Sequence, residues 1–511
     1  MMLLLAGKAG SCYLADRNVE WRRAIGPPPR YGFARDVKLA DLTAVNGISS
    51  LLLCTTVALA PLPFGSTDSW TTSLWCIILG LALTQVRPAP LRATQWLLLG
   101  LAAALIAAYG IVVYLQLADR PWLPVSPHPL WQESAALLKT PLGPAVTVVH
   151  NQPWLALGPA LAIVLALICA FLVGFDRDRA RMLLKAVAWS GAFYALLGIV
   201  QFIVDPNMVL WREKQAYANV LTATFINRNT AAVYFGSCSL LWLLIIFARI
   251  ERSLPDGESG RNAWRRLLAE PNRMLVPVMM FILCVGAMLL TGSRAGVVIS
   301  LAALVAAPAL FFVRRLSRAS TVVVALAVGT GMALVVLETI GAGVNSRFEL
   351  DQLATGGRWE AYRSTLEIIG DYPWLGTGLG TFAWIFPEYR SGTISNRGVW
   401  DRAHNTALEL ASEMGIPLAV LVAIAWAVVI AVLFYGVRNR RRDRIFPIAG
   451  CLVALLALLH SMIDFSMQIP GFAIVVAALT GSGLAQSFRT SKYRTRRVRG
   501  GDERAVASAS P

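Results

Sequence analysis

Residues 356–380 read G-G-R-W-E-A-Y-R-S-T-L-E-I-I-G-D-Y-P-W-L-G-T-G-L-G, within a polar segment that runs from Gly341 to Asn405 and closes on D-R-A-H-N. No other polar stretch of this length is set so deep among apolar runs. It carries Arg347, Arg358, Arg363, Arg390, Arg397 and Arg402, together with His404, one of four histidines in the chain. An insertion of about 60 residues with an aromatic side chain every few positions holds material for a small core of its own, which a plain linker does not. What flanks it decides the fold class.

On the N-terminal side lie apolar runs at about 46–64, 69–86, 94–116, 155–174, 183–204, 229–249, 274–291, 295–313 and 320–340; on the C-terminal side they lie at about 407–436, 446–462 and 468–487. Each is near the roughly 20 residues that a helix needs to cross the hydrocarbon of a bilayer. The expected architecture is therefore all-α: a polytopic membrane protein of about 12 transmembrane helices, with the 341–405 segment as a large loop between spans nine and ten. Composition agrees, since 56% of residues are hydrophobic and only 15% charged, against about a quarter charged in soluble domains. The net charge of +17 does not point to nucleic acid, because the basic residues sit in short clusters between apolar runs. With 12 spans both termini share one side. The segments on that side (the termini, 87–92, 176–185, 249–273, 314–318 and 438–444) hold most of the 46 Lys and Arg, as the positive-inside rule requires. Five regions follow: a basic cytoplasmic arm at 1–45, spans one to nine at 46–340, a large outward-facing loop at 341–405, spans ten to twelve at 406–487, and a basic cytoplasmic tail at 488–511. The start, M-M-L-L-L-A-G-K, lacks the basic n-region of a signal peptide. Six of the seven cysteines fall inside apolar runs without metal-ligand spacing and read as small buried hydrophobes.

This topology brings distant polar stretches to one surface: Arg228, Arg294, the long loop, and the span end His460-Ser461-Met462-Ile463-Asp464. Arg294 sits in the turn T-G-S-R-A-G between two apolar runs. Its planar fork suits phosphate or carboxylate, and the following helix N-terminus favours an anion; a snorkelling arginine is the other reading. Arg358 opens an amphipathic pattern in which Trp359, Tyr362, Leu366 and Ile369 recur at helical spacing, as in a helix lying along a membrane interface. Its guanidinium either clamps an anion opposite Arg294 or pairs with Glu360 or Asp351. His404, followed by Asn405, has the residue type to accept a proton from a hydroxyl near neutral pH, or it is an interfacial cap. Glu409 and Glu413, one and two turns on, are candidates to orient its ring. His460 and Asp464 share a helix face if the helix continues that far, where a structural hydrogen bond is the simpler expectation. The run Gly376-Thr377-Gly378-Leu379-Gly380 reads as a loop hinge, since no strand precedes it. No H-x-x-x-H occurs, and the D-x-D at Asp176-Arg177-Asp178 lies in a basic cluster on the side of the termini, so a metal site has little support.

Five motifs, in this order and spacing, resemble the O-antigen ligase and O-antigen polymerase superfamily of bacterial envelope glycosyltransferases: F-I-N-R-N (225–229), L-T-G-S-R-A-G (290–296), G-G-R-W…D-Y-P-W-L-G-T-G-L-G (356–380), A-H-N-T-A-L-E-L-A-S-E-M-G (403–415) and H-S-M-I-D-F (460–465). The resemblance covers about residues 220–465. It implies a metal-independent glycosyltransferase without cofactor in the bacterial inner membrane, working on the periplasmic face. The implied donor is a glycan on undecaprenyl diphosphate, and the acceptor is lipid A–core sugar, another lipid-linked glycan or a protein hydroxyl. It also implies that Arg294 and Arg358 bind the donor diphosphate and that His404 is the general base. Arg228, Asn405, His460 and Asp464 are the further substrate-binding candidates. The rival from another class is a 12-span transporter, which the polarity gathered at one face, not at mid-bilayer, disfavours.

Overall fold

The computed structural model describes residues 39–87, 90–253, 271–313, 329, 344–392, 394, 400–440 and 442–488. Every candidate site residue lies in the unit that begins at Ala44. The apolar runs fold as helices because a segment without water must satisfy its backbone internally. In chain order these are α1 (Leu39–Leu59), α2 (Ser69–Thr84), α3 (Ala93–Leu117), the short α4 (Leu130–Leu138), α5 (Gln152–Val173), α6 (Arg177–Val204), α7 (Arg228–Ser253), α8 (Pro271–Leu290) and α9 (Arg294–Phe312). Then come α10 (Val344–Asp371), α11 (Phe382–Tyr389), α12 (Thr406–Met414), α13 (Ile416–Asn439), α14 (Ile445–Ser461) and α15 (Pro470–Ser487). A two-stranded antiparallel hairpin, Met208–Val209 with Arg212–Glu213, is the one sheet among the described residues.

Seven of these helices (α3, α5, α6, α7, α9, α13 and α15) are long and apolar enough to cross a membrane, and α1, α2, α8 and α14 contain shorter apolar stretches. This is an integral membrane architecture. The expected run at 320–340 lies outside the described residues except for Gly329. The run at 407–436 is not one helix. Gly415, at φ +81°, ends α12, and Ile416-Pro417 begins α13. Proline at the start of a helix needs no N–H, and a Cβ at Gly415 would meet the Trp374 carbonyl oxygen at 2.1 Å.

At the centre of the bundle stands α15, every residue of which is buried. Its small side chains make this possible: a Cβ at Gly481 would meet the Leu167 carbonyl oxygen of α5 at 2.3 Å, the kind of close backbone approach that small residues allow between membrane helices. Basic side chains gather at one end. Arg177 Nη2 pairs with Asp443 Oδ1 at 2.6 Å, Arg444 donates to the Leu310 and Phe311 carbonyls at the end of α9, and Arg440 donates to Phe488 O. The N-termini of α7, α9 and α15 and the C-terminus of α14 form the opposite end.

Over that opposite end the described residues of 344–405 fold as a lobe whose core holds Ala361, Ile368, Phe382, Ile385, Phe386, Ile394 and Ala403, joined by Val148 from the connection before α5. The glycine run beneath it is not a hinge. Gly376, Gly378 and Gly380 take φ of +68°, +113° and +75° and pack where a Cβ would meet the Glu413 backbone, Thr147 and Ala156. Gln116, at the end of α3, locks this turn: its Nε2 donates to Leu375 O (2.6 Å) and Glu413 O (2.7 Å), and its Oε1 accepts from Leu379 N (3.1 Å).

Candidate functional site

Three helix N-termini meet where the lobe covers the bundle. Asn227 caps α7 by accepting from Asn229 N and Thr230 N. Ser293 caps α9 by accepting from Gly296 N, and Asn405 caps α12 by accepting from Ala407 N and Leu408 N. Capping residues of this type satisfy backbone N–H groups that the helix leaves open, and each such end carries partial positive charge. The turns of α7 and α9 touch closely, since a Cβ on Gly296 would lie 2.7 Å from Ala232 Cβ.

The centre of this assembly is Asp464, 1% exposed. Helix α14 stops at Ser461, so His460 and Asp464 do not share a helix face. The chain turns instead, Asp464 N bonds to His460 O, and the carboxylate is released to face other elements. Asn229 Nδ2 donates to Asp464 Oδ2, while Asn229 Oδ1 accepts from Ser293 Oγ at 2.8 Å. Arg358 Nη2 lies 3.8 Å from Asp464 Oδ2, and His404 Nδ1 lies 3.5 Å from Asp464 Oδ1. Burial works against the Asp464 carboxylate, but the facing His404 and Arg358 outweigh it and hold the group at about 2. Arg358 thus pairs with Asp464 and not with Glu360, whose partner is Arg363; the side chain of Asp351 lies outside the described residues.

His404 adopts φ +54°, a left-handed conformation that few non-glycine residues take. Hydrogen bonds on each side of it hold the backbone there. Tyr362 Oη donates to His404 O at 3.0 Å, the preceding Ala403 N donates to Glu409 Oε2 at 2.8 Å, and Asn405 Nδ2 donates to Met462 O at 2.9 Å. The ring stands between Trp400 and Phe465, 5.6 Å and 5.1 Å between centroids, both edge-on. Its carboxylate neighbour is Asp464. The glutamates of α12 do not orient it: Glu409 pairs with Arg402 Nη1 at 3.1 Å, and Glu413 accepts from Phe382 N at 3.0 Å. Burial, with Glu409 adding, raises the Glu413 carboxyl above the usual carboxylate range.

His460 is sealed in, with Nδ1 on Ser466 Oγ at 2.9 Å, and that hydroxyl also meets Thr230 Oγ1. Asn405 spends both ends of its amide on structure. Arg228 stacks its guanidinium 5.3 Å from the centroid of Tyr217. Burial pushes the Tyr217 hydroxyl up, and Asp464, Arg228 and Arg358 all act on it, so the 205–220 connection contributes to the site. Sequence reading missed Tyr217, Trp400 and Phe465, for which no spacing signal exists. Arg294 is exposed, one residue beyond the Ser293 that reaches Asp464 through Asn229.

The fold and site together define a helical membrane protein with a cationic, carboxylate-anchored centre at one end of its bundle. Residues 279–423 match the family model described as O-antigen ligase, a match that supports a likeness to the O-antigen ligase and polymerase superfamily. The match contains Arg294, Arg358, His404 and Asn405, while Arg228, His460 and Asp464 lie outside it and join it only through the fold. The chain has no match among curated proteins.

Proposed function

We propose that the chain transfers a glycan from an undecaprenyl-diphosphate donor to a hydroxyl on the periplasmic face of the bacterial inner membrane, with both termini in the cytoplasm. The observation that carries the reading is the Asp464-centred cluster, which aims one nitrogen of His404 at a buried carboxylate beside a guanidinium. With Nδ1 facing Asp464, the imidazole keeps its proton on that nitrogen and leaves the lone pair on Nε2. The acceptor hydroxyl gives its proton to Nε2 as its oxygen attacks the anomeric carbon. The bond from that carbon to the phosphate oxygen breaks, and undecaprenyl diphosphate departs with the electron pair. Attack opposite the leaving group inverts the anomeric configuration.

Charge grows on the departing diphosphate. Arg294 and Arg358 supply fixed positive charge there, and the N-termini of α7 and α9 add to it, so the step needs no metal ion. Arg228 stands with them as a third substrate-binding cation. The assignments rest on a plain test. His404→Ala and Arg294→Ala are expected to abolish transfer in a strain whose own gene is deleted while the protein still inserts in the membrane. A wild-type glycan profile in either variant removes that residue from the mechanism. The acceptor is read by scoring the deletion strain twice. Loss of the lipopolysaccharide ladder with accumulation of lipid-linked polymer identifies a ligase, and short repeats alone identify a polymerase.

A further inference from the structure

Helix α10 has two faces with different company. Ala361 and Ile368 enter the lobe core, and Arg358 and Tyr362 face the site. On the other face Trp359 is 67% exposed and Leu366 55%, and beyond the helix end Trp374 is 76% exposed; on α11, Trp384 is 63% exposed. The interfacial pattern expected over Trp359, Tyr362, Leu366 and Ile369 is thus corrected, since Tyr362 and Ile369 turn inward. Trp359 and Leu366, seven residues apart, lie on one line along the helix, and Trp374 is exposed in the turn that follows its end. Such large apolar side chains left facing water in a row are costly and mark an interaction surface.

What covers this surface is fixed by its attachments. Pro373 O accepts from Ile416 N, the first residue of α13, and Leu375 O accepts from Gln116 at the end of α3. Trp374 therefore sits between the ends of two membrane-crossing helices, both largely uncovered by protein along their length. Gly380, shortly before Trp384, packs on Ala156 in the first turns of α5, where Trp154 and Leu155 are also exposed. The exposed residues thus neighbour the ends of three helices long and apolar enough to cross a membrane.

We propose that Trp359, Leu366, Trp374 and Trp384 form a membrane-resting surface that enters the headgroup–acyl boundary of the bilayer at the site end of the bundle. Tryptophan favours that boundary because one edge of the ring is polar and the body apolar. Arg363, exposed between Trp359 and Leu366 on the same line, reaches lipid phosphate from there. Resting on the reading above, the surface also sets a height. Arg358 is adjacent to Trp359, so lipid contact on one side of α10 holds its guanidinium level with a lipid-borne diphosphate on the other.

The test uses the full chain in nanodiscs of phosphatidylethanolamine and phosphatidylglycerol, without any glycan, so its outcome does not depend on catalysis. Trp359→Phe, Trp374→Phe and Trp384→Phe are made singly and together, and the fluorescence each removes is compared in lipids brominated near the headgroup and with aqueous iodide. The expected result is that the signal owed to these residues is largely lost in brominated lipid and unaffected by iodide. Quenching by iodide alone places them in water, and quenching by neither, with a dimeric mass, places them against a second copy; either result overturns the proposal. Single variants keep it testable if the triple variant does not fold.

Discussion

Asp464 and Glu413 are both buried carboxyl groups, 1% and 6% exposed, lying where the lobe meets the bundle, and their protons behave in opposite ways. Asp464 faces an imidazole, a guanidinium and an asparagine amide, and stays ionised down to about 2. Glu413 faces another carboxylate, Glu409, whose nearest cation, Arg402, is already engaged, and its carboxyl group is raised. Burial alone disfavours both charges. The difference lies in the partners, and it separates two jobs. Asp464 keeps a negative charge 3.5 Å from His404 Nδ1, whereas the α12 glutamates hold backbone: Glu409 accepts from Ala403 N and Glu413 from Phe382 N.

The sharpest break in this comparison is Asp464→Asn. It preserves shape and removes the charge that sets His404, so transfer is expected to fall by about 10²- to 10⁴-fold, the range of a positioned general base, with the protein still folded by circular dichroism. Wild-type rates would show that His404 needs no carboxylate. Next in size is Glu409→Ala. It strands Arg402 and the Ala403 N–H and is expected to cost about 3 kcal/mol, the lower end for breaking a buried pair because Arg402 is 40% exposed. A thermal melt in detergent measures this. An unchanged melt would assign the backbone-holding task elsewhere.

The helices are legible in the sequence because crossing a bilayer demands a long apolar run, and such runs announce themselves without knowledge of any contact. The break at Gly415 is less so: its Gly-Ile-Pro signal is written, but the reason for it is the Trp374 carbonyl packed against the glycine, which belongs to another segment. The site is half legible. Arg294 stands out as a charge between two apolar runs, and Arg358 and His404 stand out in the one long polar segment set among such runs. The centrality of Asp464 does not, because it follows from α14 ending at Ser461 and from partners such as Asn229, 235 positions away. Spacing along one helix suggested Glu409 and Glu413 for the ring of His404, but local spacing says nothing of a carboxylate delivered by a turn from the far end of the chain.

The finest test of the comparison is the pH dependence of stability. Glu413 has its carboxyl raised above the ordinary 4.5 in the folded protein, so across that interval the native state holds a proton that the unfolded chain has lost. Stability then falls as pH rises through the interval, because ionising the native carboxyl opposes burial and the Glu409 charge. Glu413→Gln keeps an oxygen for Phe382 N and removes the titration. Its melting temperature is expected to match wild type at acid pH and to exceed it increasingly toward alkaline pH. Asp464→Asn gives the contrasting curve. Its carboxylate is lowered, so its stabilisation is complete above the ordinary 3.8 and is lost only as pH falls toward about 2, and from mildly acid to alkaline pH the offset from wild type stays constant. If instead the Glu413→Gln curve runs parallel to wild type over the same range, Glu413 is ionised throughout, Arg402 serves both glutamates, and the distinction between the two buried carboxyls disappears.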